Sequence, residues 1–417
     1  MADPARIHPL TMRSGVTRSA LLAACALATP ALGAGSGATT AGLSTRLAAP
    51  PAAEPHPETQ LLSAIDALNA GRIDEAWTAL DRLVKIQPNF RLARLFHSEL
   101  LAARSGAPAV DRATSDAETQ GLAEEARLRL QQWHERIPEG AVPDVILQLS
   151  KRHPHAVVVD LPRSRLYLVE NTRDGVRVLR NFYASIGKGG WGKRSTGDNR
   201  TPVGVYHVTG FLPDRTLPEL YGAGAFPVSY PNVWDQRLKH TGSGIWLHGV
   251  PRETFNRAPR SSEGCVTLAN ADLLELKPYF VAGETPVVFT DALSWQPREQ
   301  GWERRAEFLE QIEGWRARWS ALDTAGYLAY YADDFETDGM NKRAFAEHKR
   351  RVNAAKKAID VRLQGVDLFR YPGGDGLMLA RFTQHYRSSN YVKTSDKYQF
   401  WRRQPDGQWR IVKESSR

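Results

Sequence analysis

Two side chains in this sequence have the types and surroundings of a nucleophile and its base. His248 closes the apolar run Gly244-Ile245-Trp246-Leu247-His248, and Cys265 lies in Arg260-Ser261-Ser262-Glu263-Gly264-Cys265-Val266-Thr267. A histidine at a strand end beside a cysteine on a glycine-bearing turn suits thiol chemistry. The imidazole stores the thiol proton and lowers the thiol pKa, which makes the thiolate available near neutrality. Gly264 lets the backbone turn sharply, and amides at and beside Cys265 can then face a developing oxyanion. The base needs its second ring nitrogen held, and the adjacent Gly249 carbonyl is the acceptor at hand. The expected catalytic set is therefore Cys265, His248 and Gly249. Gly264, Ser262 and Arg260 are assigned to oxyanion and substrate binding, with turn-shaping as the competing role for Ser262 and Arg260. Tyr230, Asp235 and Lys188 flank the expected cleft and read as solvated surface. His153 and His155 lack the partners of a metal site. Gly187-Lys188-Gly189-Gly190 lacks the strand and helix context of a phosphate loop. Neither a metal nor a cofactor is expected.

The rest of the chain bears on whether Cys265 is free to react. The 417 residues contain two cysteines. Residues 1–33 have the pattern of an export signal: Arg13 and Arg18 precede the apolar run Ser19 to Leu27, and Ala31-Leu32-Gly33 offers small residues for cleavage. The run is shorter than the roughly 20 residues of a membrane span. Met12 is an alternative start. Leu22-Ala23-Ala24-Cys25 also fits a lipoprotein box, so lipid anchoring at Cys25 stands second to simple cleavage. Either route removes Cys25 from the thiol inventory. A solitary Cys265 in an oxidising compartment is then an intermolecular link, an accident or a reactive thiol. The location expected is periplasmic. The formal charge of +9 is spread along the chain; export argues against a nucleic acid partner and favours an anionic envelope polymer.

The elements that must position the pair follow from periodicity. Residues 34–57 are rich in Gly, Ser, Thr, Ala and Pro and read as a flexible tether. From 58 to 150 the spacing is helical, with Leu61, Leu62, Ile65 and Leu68 on one face, a break at Gly71, then Ala76, Leu80, Leu83 and Val84, and a stop at Pro88. The helix pair resembles one tetratricopeptide-type (TPR-like) repeat, followed by a third run from Leu92 and a helix over Leu122 to Trp133. A homodimer through this segment is one expectation, and a simple helical appendage is the other. From 153 to 292 the pattern alternates: Val157-Val158-Val159, Leu166 to Val169, Val176 to Tyr183, Gly204 to Val208, Gly244 to His248 and Pro286 to Phe289 predict a mostly β domain. Residues 300–417 predict a long helix carrying Trp315, Trp319 and Tyr327 to Tyr331. Strands at Leu377 to Tyr386, Lys393 to Arg402 and Trp409 to Lys413 complete an α+β cone. Trp315, Trp319, Phe335, Phe382, Tyr386, Trp401 and Trp409 there read as core, with a ligand pocket as the alternative.

The stretch from His248 to Thr267 resembles the signature of the L,D-transpeptidase catalytic domain, the YkuD family: a histidine followed at a loop's length by Ser or Thr, a variable residue, Gly and Cys. It maps onto His248, Ser262, Gly264 and Cys265. Ser185-Ile186-Gly187-Lys188, Thr201-Pro202-Val203-Gly204-Val205-Tyr206 and Gly242 to Gly249 match in order, which is stronger than one motif alone. Glu263 stands where many members have His, and Thr267 where they have Arg or Asn. These departures resemble the subgroup of cell-shape L,D-carboxypeptidases and enzymes that detach lipoprotein from the wall, whose members can carry a helical N-terminal part and a C-terminal domain similar to nuclear transport factor 2. The resemblance implies a multidomain α+β chain: a helical TPR-like segment, a central mostly-β L,D-transpeptidase domain and an NTF2-like α+β cone. It further implies a thioester acyl-enzyme on peptidoglycan stem peptides. An amine acceptor would give transpeptidation; water would give L,D-carboxypeptidase or amidase action on stems or wall-attached lipoprotein. A wall-binding scaffold with a vestigial site is the third expectation.

Overall fold

The computed structural model describes residues 55–106, 117–374 and 376–416. The expected leader, Cys25 and most of the tether lie outside the described residues. Two compact units divide at Arg127 and Leu128.

In the first unit, helices span Pro57–Asn69, Ile73–Ile86 and Arg91–Arg104. Their apolar positions recur at helical spacing, so Leu61, Leu62, Ile65, Leu80, Leu83, Leu92 and Phe96 are buried while the charged faces stay in water. Gly71, at φ +74°, ends the first helix in a conformation that costs a side-chain-bearing residue energy. The next helix runs Ala117–His134 and continues into the second unit, where Gln132 accepts from the Tyr167 hydroxyl at 2.8 Å.

The helical stretch ends before residue 150. Val142–Pro143 and Ile146–Gln148 are short strands instead, paired with Trp295–Gln296 and with Ile359–Arg370 respectively. Segments this short carry too few residues to show a period of two.

The middle of the chain forms a five-stranded sheet in the order Gly175–Tyr183, Arg165–Thr172, His155–Asp160, Pro286–Thr290, Gly204–His207. Val157 and Val159 face one core with Leu166, Phe182, Leu247 and Val266. Ala156 and Val158 face a second core with Phe369, Tyr371, Leu379 and Phe400. Burial on both faces is why this strand reads as a continuous valine run rather than an alternation. A smaller sheet carries His248, in the order Val266–Thr267, Trp246–His248, Gly224–Pro227, Leu212–Pro213.

The last region is a seven-stranded sheet in which Tyr331–Thr337, Trp409–Ser416, Tyr391–Arg403, Leu377–Ser388, Ile359–Arg370 and Ile146–Gln148 are successive neighbours. Two features differ from the sequence expectation. The long helix stops at Ser320, because Leu322 turns at φ +61°; Tyr327 lies in a separate helix, Thr324–Leu328, and Tyr331 opens a strand. A further helix, Lys342–Ala354, was hidden by its charge: Phe345 and Ala346 are its buried apolar residues. The aromatic residues Trp315, Trp319, Phe335, Phe382, Tyr386 and Trp401 are buried in one core, with Trp409 packed against it. Among the described residues no helix is long and apolar enough to cross a membrane.

Candidate active site

His248 and Cys265 arrive on neighbouring parallel strands. Leu247 is paired with Val266 and His248 with Thr267, so Cys265 enters its strand beside the histidine strand. The turn before it is held from within: Ser262 Oγ accepts from the Gly264 amide at 3.1 Å and donates to the Cys265 carbonyl at 2.5 Å. Gly264 sits at φ +124°, and a Cβ there would lie 2.8 Å from the Arg200 carbonyl oxygen. Glycine is required by both the backbone angle and the space.

His248 is buried, and its Nδ1 lies 2.7 Å from the Gly249 carbonyl oxygen. A carbonyl only accepts, so Nδ1 carries the proton and Nε2 presents a lone pair. Gly249 holds the ring as expected. It is itself locked by Asn270, whose Oδ1 accepts from the amides of Ala223 at 2.9 Å and Val250 at 3.1 Å and whose Nδ2 donates to the Val250 carbonyl at 2.8 Å. A Cβ on Gly249 would overlap Asn270 Oδ1. The Tyr221 ring packs edge-on against the imidazole at 4.9 Å and lies 4.9 Å from the Trp246 ring.

The electrostatics differ from the expected thiolate. Burial pushes the Cys265 thiol above its ordinary value; the Trp246 amide and the Arg257 and Lys193 charges pull the other way, and Glu263 adds to the rise. Burial drops His248 to about 4, reinforced by Arg257 and opposed by the Gly249 carbonyl. Desolvation disfavours both charged forms and outweighs the mutual help expected of the pair. Cys265 and His248 therefore rest neutral, with Cys265 Sγ donating to the Gly244 carbonyl at 3.4 Å.

The other expected residues divide. The Gly264 amide is bonded to Ser262 Oγ, and Ser262 braces the turn. Arg260 is exposed, with its guanidinium 5.6 Å from the Trp191 ring centroid. Lys188 is exposed and lies 3.7 Å from Glu263. Tyr230 and Asp235 are buried rather than solvated: Asp235 accepts from the Tyr206 hydroxyl at 3.1 Å and the Asn232 amide at 2.9 Å, and the Tyr230 hydroxyl donates to the Thr241 carbonyl at 3.0 Å. His153 pairs with Asp367, Nε2 to Oδ2 at 3.0 Å. Arg257, Tyr221, Trp246 and Asn270 were missed. Tyr221 and Arg257 lie outside any predicted element, Trp246 lies in the His248 strand and Asn270 opens the helix Asn270–Leu276; only folding brings their side chains to the dyad.

Known proteins share the domains of this chain. The model of the L,D-transpeptidase catalytic domain, YkuD, matches residues 154–289, and that of the Cds6 C-terminal NTF2-like domain matches residues 307–415. The structure of Bdellovibrio bacteriovorus Bd1075 is similar at 28% identity and a TM-score of 0.59, covering 66% of this chain and 98% of that one. The helical cell shape determining protein Pgp2 from Campylobacter jejuni shares the fold at 22% identity and a TM-score of 0.55, covering 65% of this chain and 94% of that one. No curated protein matches the chain.

Proposed function

We propose that this chain, which carries an L,D-transpeptidase catalytic domain followed by an NTF2-like domain, is an exported periplasmic enzyme that cleaves the L,D bond of peptidoglycan stem peptides through a thioester on Cys265. One observation supports the reading: adjoining parallel strands carry a buried imidazole with its Nδ1 proton held by Gly249 and, just before the second strand, a partly exposed thiol on a glycine turn. Cys265 Sγ attacks the diaminopimelate carbonyl while its proton passes to His248 Nε2. The Cys265 amide, left over once Ser262 has taken the Gly264 N–H, faces the oxyanion. As the C–N bond breaks, the imidazolium returns its proton to the departing D-alanine amine. A stem amine resolves the thioester in transpeptidation, and water resolves it in L,D-carboxypeptidase action, with His248 again taking the proton.

Purified protein incubated with disaccharide tetrapeptide, with products identified by mass spectrometry, tests this reading. Crosslinked dimers mark transfer to an amine and disaccharide tripeptide marks hydrolysis. Cys265→Ala yields neither. Conversion by that variant at the wild-type rate, or no conversion by the wild type, overturns the reading.

A further inference from the structure

The cations around Cys265 are not equivalent. Lys193 Nζ lies 2.8 Å from Asp198, and Lys188 faces Glu263. Arg252 holds Asp214 at 3.0 Å and Glu219 at 3.1 Å. Arg260 is exposed and lies over Trp191. Arg257 is different: it is half-buried and, among the described residues, has no carboxylate partner. Its guanidinium donates only to the Leu220 carbonyl, at 3.5 Å. Its position is nonetheless built. The Arg257 carbonyl accepts from the Tyr183 hydroxyl at 3.0 Å and from Asn256 Nδ2 at 3.1 Å, between buried Phe255 and Pro259. Its charge acts on Cys265, His248 and Tyr221 together.

A half-buried guanidinium without a counter-ion is costly unless something anionic arrives to meet it, and its planar fork matches a carboxylate. We propose that Arg257 is the receptor for the C-terminal carboxylate of the stem peptide, the group carried by the departing D-alanine. This rests on the stem-peptide reading and deepens it. A site built this way selects stems that end in a free D-alanine carboxylate over stems whose fourth position continues into another chain. Arg257 makes no bond to the reacting atoms; it fixes the register of the scissile carbonyl over Cys265.

Two measurements test it independently. The first compares alkylation of Cys265 by anionic iodoacetate and neutral iodoacetamide. The ratio of the two rates cancels any change in thiolate fraction. Arg257→Gln, and Arg257→Met as a second neutral variant that keeps the apolar stem, lower the iodoacetate-to-iodoacetamide ratio about tenfold. Arg257→Lys holds the ratio within about threefold, and Lys188→Gln leaves it unchanged, because its charge is already matched. An unchanged ratio in the neutral variants overturns the assignment whether or not the enzyme turns over a stem. The second compares disaccharide tetrapeptide with the same compound amidated at its C-terminus. The wild type prefers the free acid in kcat/KM by about tenfold, and Arg257→Gln brings that preference close to unity. Equal loss on both substrates assigns Arg257 to upkeep of the dyad and contradicts the carboxylate role. Failure of the wild type on both compounds sinks the stem-peptide reading, while the alkylation ratio still judges Arg257.

Discussion

In the proposed reaction His248 acts as a neutral base. Burial holds its pKa at about 4, so from pH 5 upward the imidazole is free to accept the thiol proton; protonation as the pH falls toward 4 removes the base and the rate with it. The acid limb of kcat/KM is accordingly predicted near pH 4, with little loss between pH 7 and pH 5. A limb near 6.5 in a pH–rate profile would show that His248 is not the neutral, desolvated base described here. The Gly249 brace on the His248 ring was legible in the sequence, because the two residues are adjacent. The rest nitrogen's partner is a next-door carbonyl, which needs no tertiary information. The thiol's raised pKa was not legible: it depends on how deeply the sulfur is desolvated, a property of the packed loops around Tyr221 and Arg257.

Among the elements, the loop after His248 depends most on one side chain. Asn270 satisfies the amides of Ala223 and Val250 and the Val250 carbonyl, and so ties the segment behind Gly249 to the start of helix Asn270–Leu276. Asn270→Ala leaves those groups unpaired and is predicted to cost about 2 kcal/mol in denaturant unfolding, together with a fall in kcat as the imidazole loses its fixed orientation. Unchanged unfolding and turnover in that variant would show that the tie is dispensable. Helix breaks at Gly71 and before Pro88 were legible, since glycine and proline act through local sterics. The stop at Leu322 was not, because a leucine at positive φ is imposed by the packing of Trp319 and Tyr327 around it. The Lys342–Ala354 helix was missed for a related reason: its buried face is narrow and its many charges conceal the period.

At the scale of the whole molecule, residues 153–292 share a core with the NTF2-like region, and the segment just before them adds a strand to the NTF2-like sheet. Ile146–Gln148 pairs with Ile359–Arg370, and Val158, Val205 and Val288 pack in one cluster with Phe369, Tyr371 and Phe400. Arg237 adds bonds to the Val412 carbonyl at 2.7 Å and the Asp334 carboxylate at 2.9 Å. Residues 128–417 are therefore predicted to unfold as one cooperative unit in calorimetry, and a chain ending at Pro297 to expose the valine face and aggregate. Two separate transitions within 128–417, or a soluble and active truncated form, would contradict that coupling. The three-part layout was legible from changes of period along the chain. Its central joint was not, because Gln148 and Leu368 pair across a sequence separation that no local window spans.

The central claim is a thioester on Cys265, and the most direct measurement is the mass of the intact protein after rapid acid quenching with disaccharide tetrapeptide. The account predicts an adduct equal to the substrate less D-alanine, mapped to Cys265, released by hydroxylamine and absent from Cys265→Ala. Turnover with no such adduct in a slowed His248 variant, or an adduct on another residue, would contradict it.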